Sequence, residues 1–279
     1  MGKIFDALEK ANKQSTIKNV VLHASDRISN RYVEEEKVVP LLHARLANSN
    51  TQDLDDKLIM HHAPQSLEAS FFKVLKTNLL FPAVGKPAKS ILVTSAIPGD
   101  GKSFISANIA ISIAQGIEEH VLLIDCDMRR PTIHKYFGIS QEPGLSSFLT
   151  NENDIAPYLV KTSIAKLTVL PSGQPPTNPT ELLTATKMKN LLEQVKLRYD
   201  DRFIVLDSPP PSMAPETTAI AKQVDGVLLV VRAGKTPKDA VSNIIELIGK
   251  EKIVGIVLND CEQSVKKYYG YAKSYYKGK

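Results

Sequence analysis

No apolar run in this chain approaches the roughly 20 residues that a bilayer-spanning helix requires. The longest, GVLLVV and IVGIVL, reach less than half that length, so no membrane-spanning helix is expected. Cysteine is also scarce. Cys126 and Cys261 lie far apart and outside any CxxC spacing, which argues against a disulfide framework or a zinc site. The opening MGKIFDALEK carries no hydrophobic signal region, and Asp6 stands where a myristoylation motif requires Ser or Thr. A cytoplasmic protein is therefore expected.

An apolar fraction of 43% and a charged fraction of 23% over 279 residues describe an ordinary globular protein, large enough for one domain with an appendage. The net charge of +5 does not by itself indicate nucleic acid, and no specific nucleic-acid partner is expected. Much of the excess sits after Glu262, where Lys266, Lys267, Lys273, Lys277 and Lys279 face no acid. That terminus reads either as a solvated basic end or as a segment attracted to an acidic surface or membrane.

Residues 2–13 place Ile4, Ala7, Leu8 and Ala11 on one helical face, a short helix that needs a partner to be stable. From about Ser15 to Pro64 the chain is polar without sustained periodicity. Residues 1–64 are accordingly read as a flexible N-terminal arm whose short amphipathic helix can dock a partner. Order is expected from 65 to 262. There SLEASFFKVLKTNLLF predicts a helix capped by Ser66 and stopped by Pro82. Strand-like runs follow at 90–95, 120–125, 167–171, 202–207, 226–232 and 253–259, with helical patterns near 103–115, 180–197, 215–223 and 237–249. Near-continuous apolar strands alternating with helices predict an α/β fold, a mainly parallel sheet covered on both faces.

Directly after the first of these strands comes SAIPGDGKS, and then a helical pattern opening at Phe104. A strand, a glycine-rich loop and a helix N-terminus make a phosphate cradle, because backbone N–H groups and the helix dipole both favour anions. The candidate nucleotide-binding stretch is Pro98, Gly99, Asp100, Gly101, Lys102, Ser103 and Phe104. Gly99 and Gly101 allow close backbone approach, Lys102 can reach the β- and γ-phosphates, and Ser103 can hold magnesium. Ala96 replaces the usual first glycine.

Carboxylates for phosphoryl chemistry end two other strands. VLLIDCDMRRP supplies Asp125 and Asp127, followed by Arg129 and Arg130, and FIVLDSPPP supplies Asp207. Ligands of open parallel sheets bind beyond the carboxyl ends of the strands, which directs these aspartates toward the phosphate loop. Asp207 resembles a Walker B aspartate, a metal ligand. Asp125 or Asp127 can accept a proton from an attacking hydroxyl. Arg129 or Arg130 can stabilise transferred charge or hold a neighbouring subunit, and spacing does not separate them.

With these motifs in order, followed by LPSGQPPTNPTELL, VDGVLLVVRAGKT and IVGIVLND, residues 65–279 resemble the bacterial tyrosine kinases of capsule and exopolysaccharide synthesis. The opening MGKIFDALEKA is similar to the cytoplasmic, separate-chain versions found with exosortase-linked systems. The resemblance implies a P-loop NTPase core binding ATP and Mg2+, with Lys102, Asp125, Asp127 and Asp207 catalytic and Ser103, Asp125 and Asp207 at the metal. It also implies that Asn259 contacts adenine and that Arg232 lies near the nucleotide. Implied partners are a membrane polysaccharide copolymerase or activator of the Wzz type, a phosphotyrosine phosphatase, and further copies of the chain. Such an activator would recruit the protein to the inner face of the membrane. Family members usually carry E-x-x-R-x-x-R before TN; here Ser70, Lys73 and Lys76 stand in those places, and lysine lacks the planar fork of an arginine lock.

Residues 263–279 crowd Tyr268, Tyr269, Tyr271, Tyr275 and Tyr276, five of the nine tyrosines, into nine positions. No Leu, Ile or Val follows Val265, and Gly270 and Gly278 weaken a helix, so a flexible phosphoacceptor tail is expected rather than a core stripe. The alternative function is an ATPase switch of the MinD/ParA kind, which positions or assembles components without tyrosine chemistry. Those proteins usually carry a signature lysine early in the phosphate loop, where Ile97 stands here.

Overall fold

The computed structural model describes residues 45–46, 54–151, 154–198 and 202–261. The expected helix at 2–13, most of the arm and the tyrosine-rich tail lie outside the described residues. In chain order the main elements are β1 (Arg45–Leu46), α1 (Ile59–His62), α2 (Leu67–Leu80), β2 (Ser90–Ser95), α3 (Lys102–Ala114), β3 (His120–Asp125), α4 (Ile133–Tyr136) and α5 (Leu145–Asn151). They continue with β4 (Val160–Lys161), β5 (Leu167–Leu170), α6 (Pro179–Thr184), α7 (Thr186–Arg198), β6 (Arg202–Asp207), α8 (Pro215–Gln223), β7 (Gly226–Arg232), α9 (Lys238–Ile248) and β8 (Ile253–Asn259).

The strands form one sheet in the order β1-β4-β5-β3-β6-β2-β7-β8, parallel throughout except where β4 meets β5. Side chains alternate between its two faces. Ile91, Val93, Val121, Leu123, Phe203, Val205, Leu228 and Val230 pack on one side with α2 and α3. Leu92, Leu122, Ile124, Ile204, Leu206, Val227 and Leu229 pack on the other with α7, α8 and α9. This double burial is why the inner strands read as continuous apolar runs rather than alternating ones. The edge strand β8 does alternate, leaving Val254, Ile256 and Leu258 exposed.

Helix α2 begins where its sequence requires: Ser66 Oγ accepts from the Ala69 N–H at 3.1 Å. The lysines that replace the family's arginines on this helix are not both free, since Lys73 Nζ donates to the Pro64 carbonyl of its own chain at 2.6 Å. The expected helix at 180–197 is two helices, because Ala185 is extended (φ −64°, ψ 153°) between α6 and α7.

Packing begins earlier than residue 65. Leu58 and Met60 are buried, the Met60 N–H donates to Asn108 Oδ1 (3.0 Å), and Gln115 Nε2 donates to the Met60 carbonyl (2.8 Å). The segment around Met60 thus packs on α3. DLDDKLIMHH hides this, because its few apolar residues are too closely spaced to show a period. Among the described residues no helix is long and apolar enough to cross a membrane.

Candidate active site

The strand β2 ends at Ser95, and the chain turns through Ala96–Gly101 into α3. Gly99 and Gly101 take φ of 84° and 97°, a region that L side chains disfavour. At Gly101 an added Cβ would also lie 2.2 Å from Asn259 Nδ2. Gly101→Ala is therefore expected to lose about 1–2 kcal/mol from the backbone alone and to dislodge Asn259. A thermal melt of the variant beside wild type measures the loss, and an unchanged melt would refute it.

Two strand-end carboxylates stand side by side because β3 and β6 pair in parallel register, Asp125 opposite Asp207. Asp207 accepts from Ser103 Oγ at 2.6 Å through one oxygen and from Ser106 Oγ at 3.0 Å through the other. Ser103 and Ser106 are one helical turn apart at the start of α3, so one helix face serves both oxygens. Burial raises the Asp207 pKa to about 6, although the Ser103 hydroxyl, the Lys102 charge and the Ser106 hydroxyl hold it down.

Asp125 is fully buried and engaged differently. One of its oxygens accepts from the Asp127 N–H, the other from the N–H groups of Thr132 and Ile133, all at 3.1 Å. Burial, and next the Asp207 charge, push its carboxyl well above the usual carboxylate range. It organises the turn that follows β3. Asp127 is more open: Oδ1 accepts from the Arg130 N–H at 3.0 Å, and burial raises its pKa against the opposing pull of that N–H and of Lys102. Cys126, between them, is buried with its thiol pKa pushed up, chiefly by burial, so it is a poor nucleophile.

A second set of bonds ties the phosphate loop to the last two strands. Asn259 Nδ2 donates to the Asp100 carbonyl (2.8 Å) and Thr236 Oγ1 donates to Asp100 Oδ1 (2.8 Å). Thr236 Oγ1 in turn accepts from the Arg232 N–H, and Arg232 Nε pairs with Asp260 at 2.8 Å. Beside this network a cavity of about 550 Å³ opens between α2 and β8, with Phe104, Asn259, Asp260 and Cys261 in its lining. Phe104 meets Phe72 edge to face there.

Of the candidates that lie among the described residues, Lys102, Ser103, Asp125, Asp127, Asp207, Arg232 and Asn259 are carried at one end of the sheet, while the five tail tyrosines lie outside the described residues. The loop Pro98–Phe104 lies between Asp207 on one side and Arg232 and Asn259 on the other. The chain is similar to known proteins. A family model described as an AAA domain fits residues 88–254. The tyrosine-protein kinase YwqD of Bacillus subtilis is 35% identical over 210 residues, 75% of this chain and 87% of the relative. The chain belongs to the bacterial tyrosine-protein kinases. Two solved structures agree: the chimerical protein CapA2B2 (36% identity, TM-score 0.67, 74% of this chain and 90% of that one) and the kinase domain of Escherichia coli tyrosine kinase ETK (30%, 0.67, 72% and 79%). This kinase therefore has a nucleotide-binding P-loop core, and its relatives favour tyrosine transfer over the MinD/ParA-like alternative.

Three polar partners of the site, Ser106, Asp260 and Thr236, were not singled out from the sequence. Ser106 carried a signal, its i, i+3 spacing from Ser103. Asp260 follows Asn259 directly. Thr236 lies within VDGVLLVVRAGKT, but nothing in that stretch marks its bond to Asp100, which is 136 residues away.

Proposed function

We propose that this kinase transfers the γ-phosphoryl group of ATP to the tyrosines of the tail of another copy, Tyr268, Tyr269, Tyr271, Tyr275 and Tyr276. The observation that carries this reading is the cluster of Lys102, Ser103 and Asp207 under a loop whose glycines hold positive φ. The site fits magnesium, since a hydroxyl and a buried carboxylate already converge and that ion takes few protein ligands beside substrate phosphates. Ser103 and Asp207 would hold it, with Asp125 behind them. When bound, it offsets the negative charge of the phosphates.

In this account the loop N–H groups and Lys102 hold the phosphates. The tyrosine oxygen bonds to the γ-phosphorus, the bond to the β–γ bridging oxygen breaks, and ADP leaves. The phenolic proton passes to Asp127, whose burial raises its basicity. Asn259, which lines the cavity with Phe104, would contact the base, with Arg232 near the nucleotide. The tail, residues 263–279, follows closely on Cys261, which lines that cavity.

Each phosphotyrosine adds about −1.5 to −2 charge, so five add roughly −7.5 to −10 and invert a lysine-rich segment. That change supports release from an assembly of copies and, through it, control of capsule or exopolysaccharide synthesis. A Wzz-type membrane copolymerase is the proposed activator, docking through residues 1–64 and recruiting this cytoplasmic protein to the membrane, with a phosphotyrosine phosphatase as its counterpart.

Phosphopeptide mass spectrometry after phosphatase treatment and incubation with Mg–ATP tests the acceptor. The expected result is phosphate between Tyr268 and Tyr276 in wild type and none in a variant with all five tyrosines changed to Phe. Phosphate at other residues in both proteins would refute the tail as acceptor.

A further inference from the structure

Beyond β3 the chain carries two adjacent arginines, and among the described residues only Arg129 is held by side-chain hydrogen bonds. Arg129 Nε donates to Glu216 Oε1 at 3.2 Å, and its Nη2 donates to Thr180 Oγ1 at 3.3 Å. Thr180 Oγ1 donates onward to Glu216 Oε2 at 2.9 Å, closing a triangle. Glu216 comes from the first turn of α8 and Thr180 from the first turn of α6. The carboxylate side chain is 2% exposed, whereas Arg129 is 46% exposed.

A buried carboxylate paired to a half-exposed guanidinium is a weak way to join two helices, because desolvating the acid offsets most of the attraction. It is an effective way to aim a guanidinium. Two of the five N–H donors of Arg129 are used by the triangle, and its Nη1 has no hydrogen-bond partner among the described residues. The remaining donors form a fork suited to phosphoryl oxygens. Arg129 also follows Asp127 by two residues in a turn that the Lys102 charge reaches. Arg130 differs in its side chain: among the described residues no side-chain hydrogen bond holds it, and it acts on Asp127 through its charge.

We propose that Glu216 is a positioning residue which, with Thr180, fixes the Arg129 guanidinium to bind a phosphoryl group at the carboxyl end of β3. The inference rests on the phosphotransfer reading above. Two sources share this chemistry, the phosphoryl group in transfer and the phosphotyrosine it forms.

Equilibrium binding separates them. The first arm compares MgADP with MgADP plus aluminium fluoride, a mimic of the group in transfer. The second measures a synthetic peptide of residues 262–279 phosphorylated at Tyr268, added to the MgADP-bound protein. In wild type, at least one probe is expected to gain about tenfold or more over its reference, MgADP alone or the unphosphorylated peptide. Arg129→Lys, Thr180→Val and Glu216→Gln are expected to lose most of that gain while affinity for MgADP alone stays within about twofold. Thr180→Ser, which keeps the hydroxyl, is expected to retain it. A purely structural triangle would move the melting temperature and leave both gains intact, and that result overturns the proposal, as does a wild type that gains in neither arm. Should Glu216→Gln not fold, the Thr180 pair and Arg129→Lys decide. A wild type that does not bind MgADP is a separate outcome, sinking the phosphotransfer reading and the inference together.

Discussion

Replacing Lys102 with methionine is expected to slow phosphoryl transfer by about a hundred- to a thousandfold, the usual effect of deleting one preorganised charge at a transferring group. The physical reason lies in the site. Lys102 is the first residue of α3 and only 9% exposed, and its charge acts on both Asp207 and Asp127. Methionine keeps the unbranched stem and its packing, so the fold is expected to survive. The checks are the rate of phosphotyrosine formation with Mg–ATP and a thermal melt without nucleotide. A folded Lys102→Met protein that transfers phosphate at the wild-type rate would contradict the assignment.

Asp207→Asn is expected to act in opposite directions on stability and on function. A carboxyl whose pKa rises from 3.8 unfolded to about 6 folded favours its protonated form in the folded state. Its stabilisation is complete below about pH 4 and is lost as pH rises through 6. Above that pH the charged group disfavours the nucleotide-free fold by roughly 3 kcal/mol, from two units at about 1.4 kcal/mol each. Asparagine removes the charge, and the Ser103 and Ser106 hydroxyls can rotate to suit its amide. The variant is therefore expected to melt above wild type at pH 7.5, with the gap closing toward pH 4.5. Burial lowers the pKa of His61 and His134, so acid destabilises through them. The difference between the two proteins is thus the readout, rather than either melt alone. In the same protein the protection given by Mg–ATP is expected to vanish. An Asp207→Asn protein less stable than wild type at pH 7.5 would show that the carboxylate holds the fold instead of straining it.

The phosphate loop was legible because its chemistry is local: two glycines, a lysine and a serine between a strand and a helix need no distant partner. The inner strands were legible for a related reason, since burial on both faces leaves apolar runs such as FIVL in β6. What the sequence hid depends on contacts between distant segments. Leu58 and Met60 are buried by α3, some fifty residues onward. The short β4 pairs antiparallel with β5 through only two residue pairs, Val160 with Val169 and Lys161 with Thr168. Glu216 is a first-turn acid of α8, and only the fold brings Arg129 and Thr180 to it. The different partners of the two acidic strand ends were not legible in the sequence. Asp125 holds three backbone N–H groups, whereas Asp207 faces the hydroxyl of the phosphate loop's own serine.

Transfer between copies is the central claim, and a mixing experiment tests it most directly. A full-length protein with all five tail tyrosines changed to Phe serves as the donor, since it retains its phosphate site. Lys102→Met, which keeps the tail, serves as the acceptor. After incubation together with Mg–ATP, phosphopeptide mass spectrometry is expected to find phosphate between Tyr268 and Tyr276 of the Lys102→Met chains. ATP consumed with no phosphate on either chain would contradict tyrosine transfer between copies and return the molecule to the class of ATPase switches.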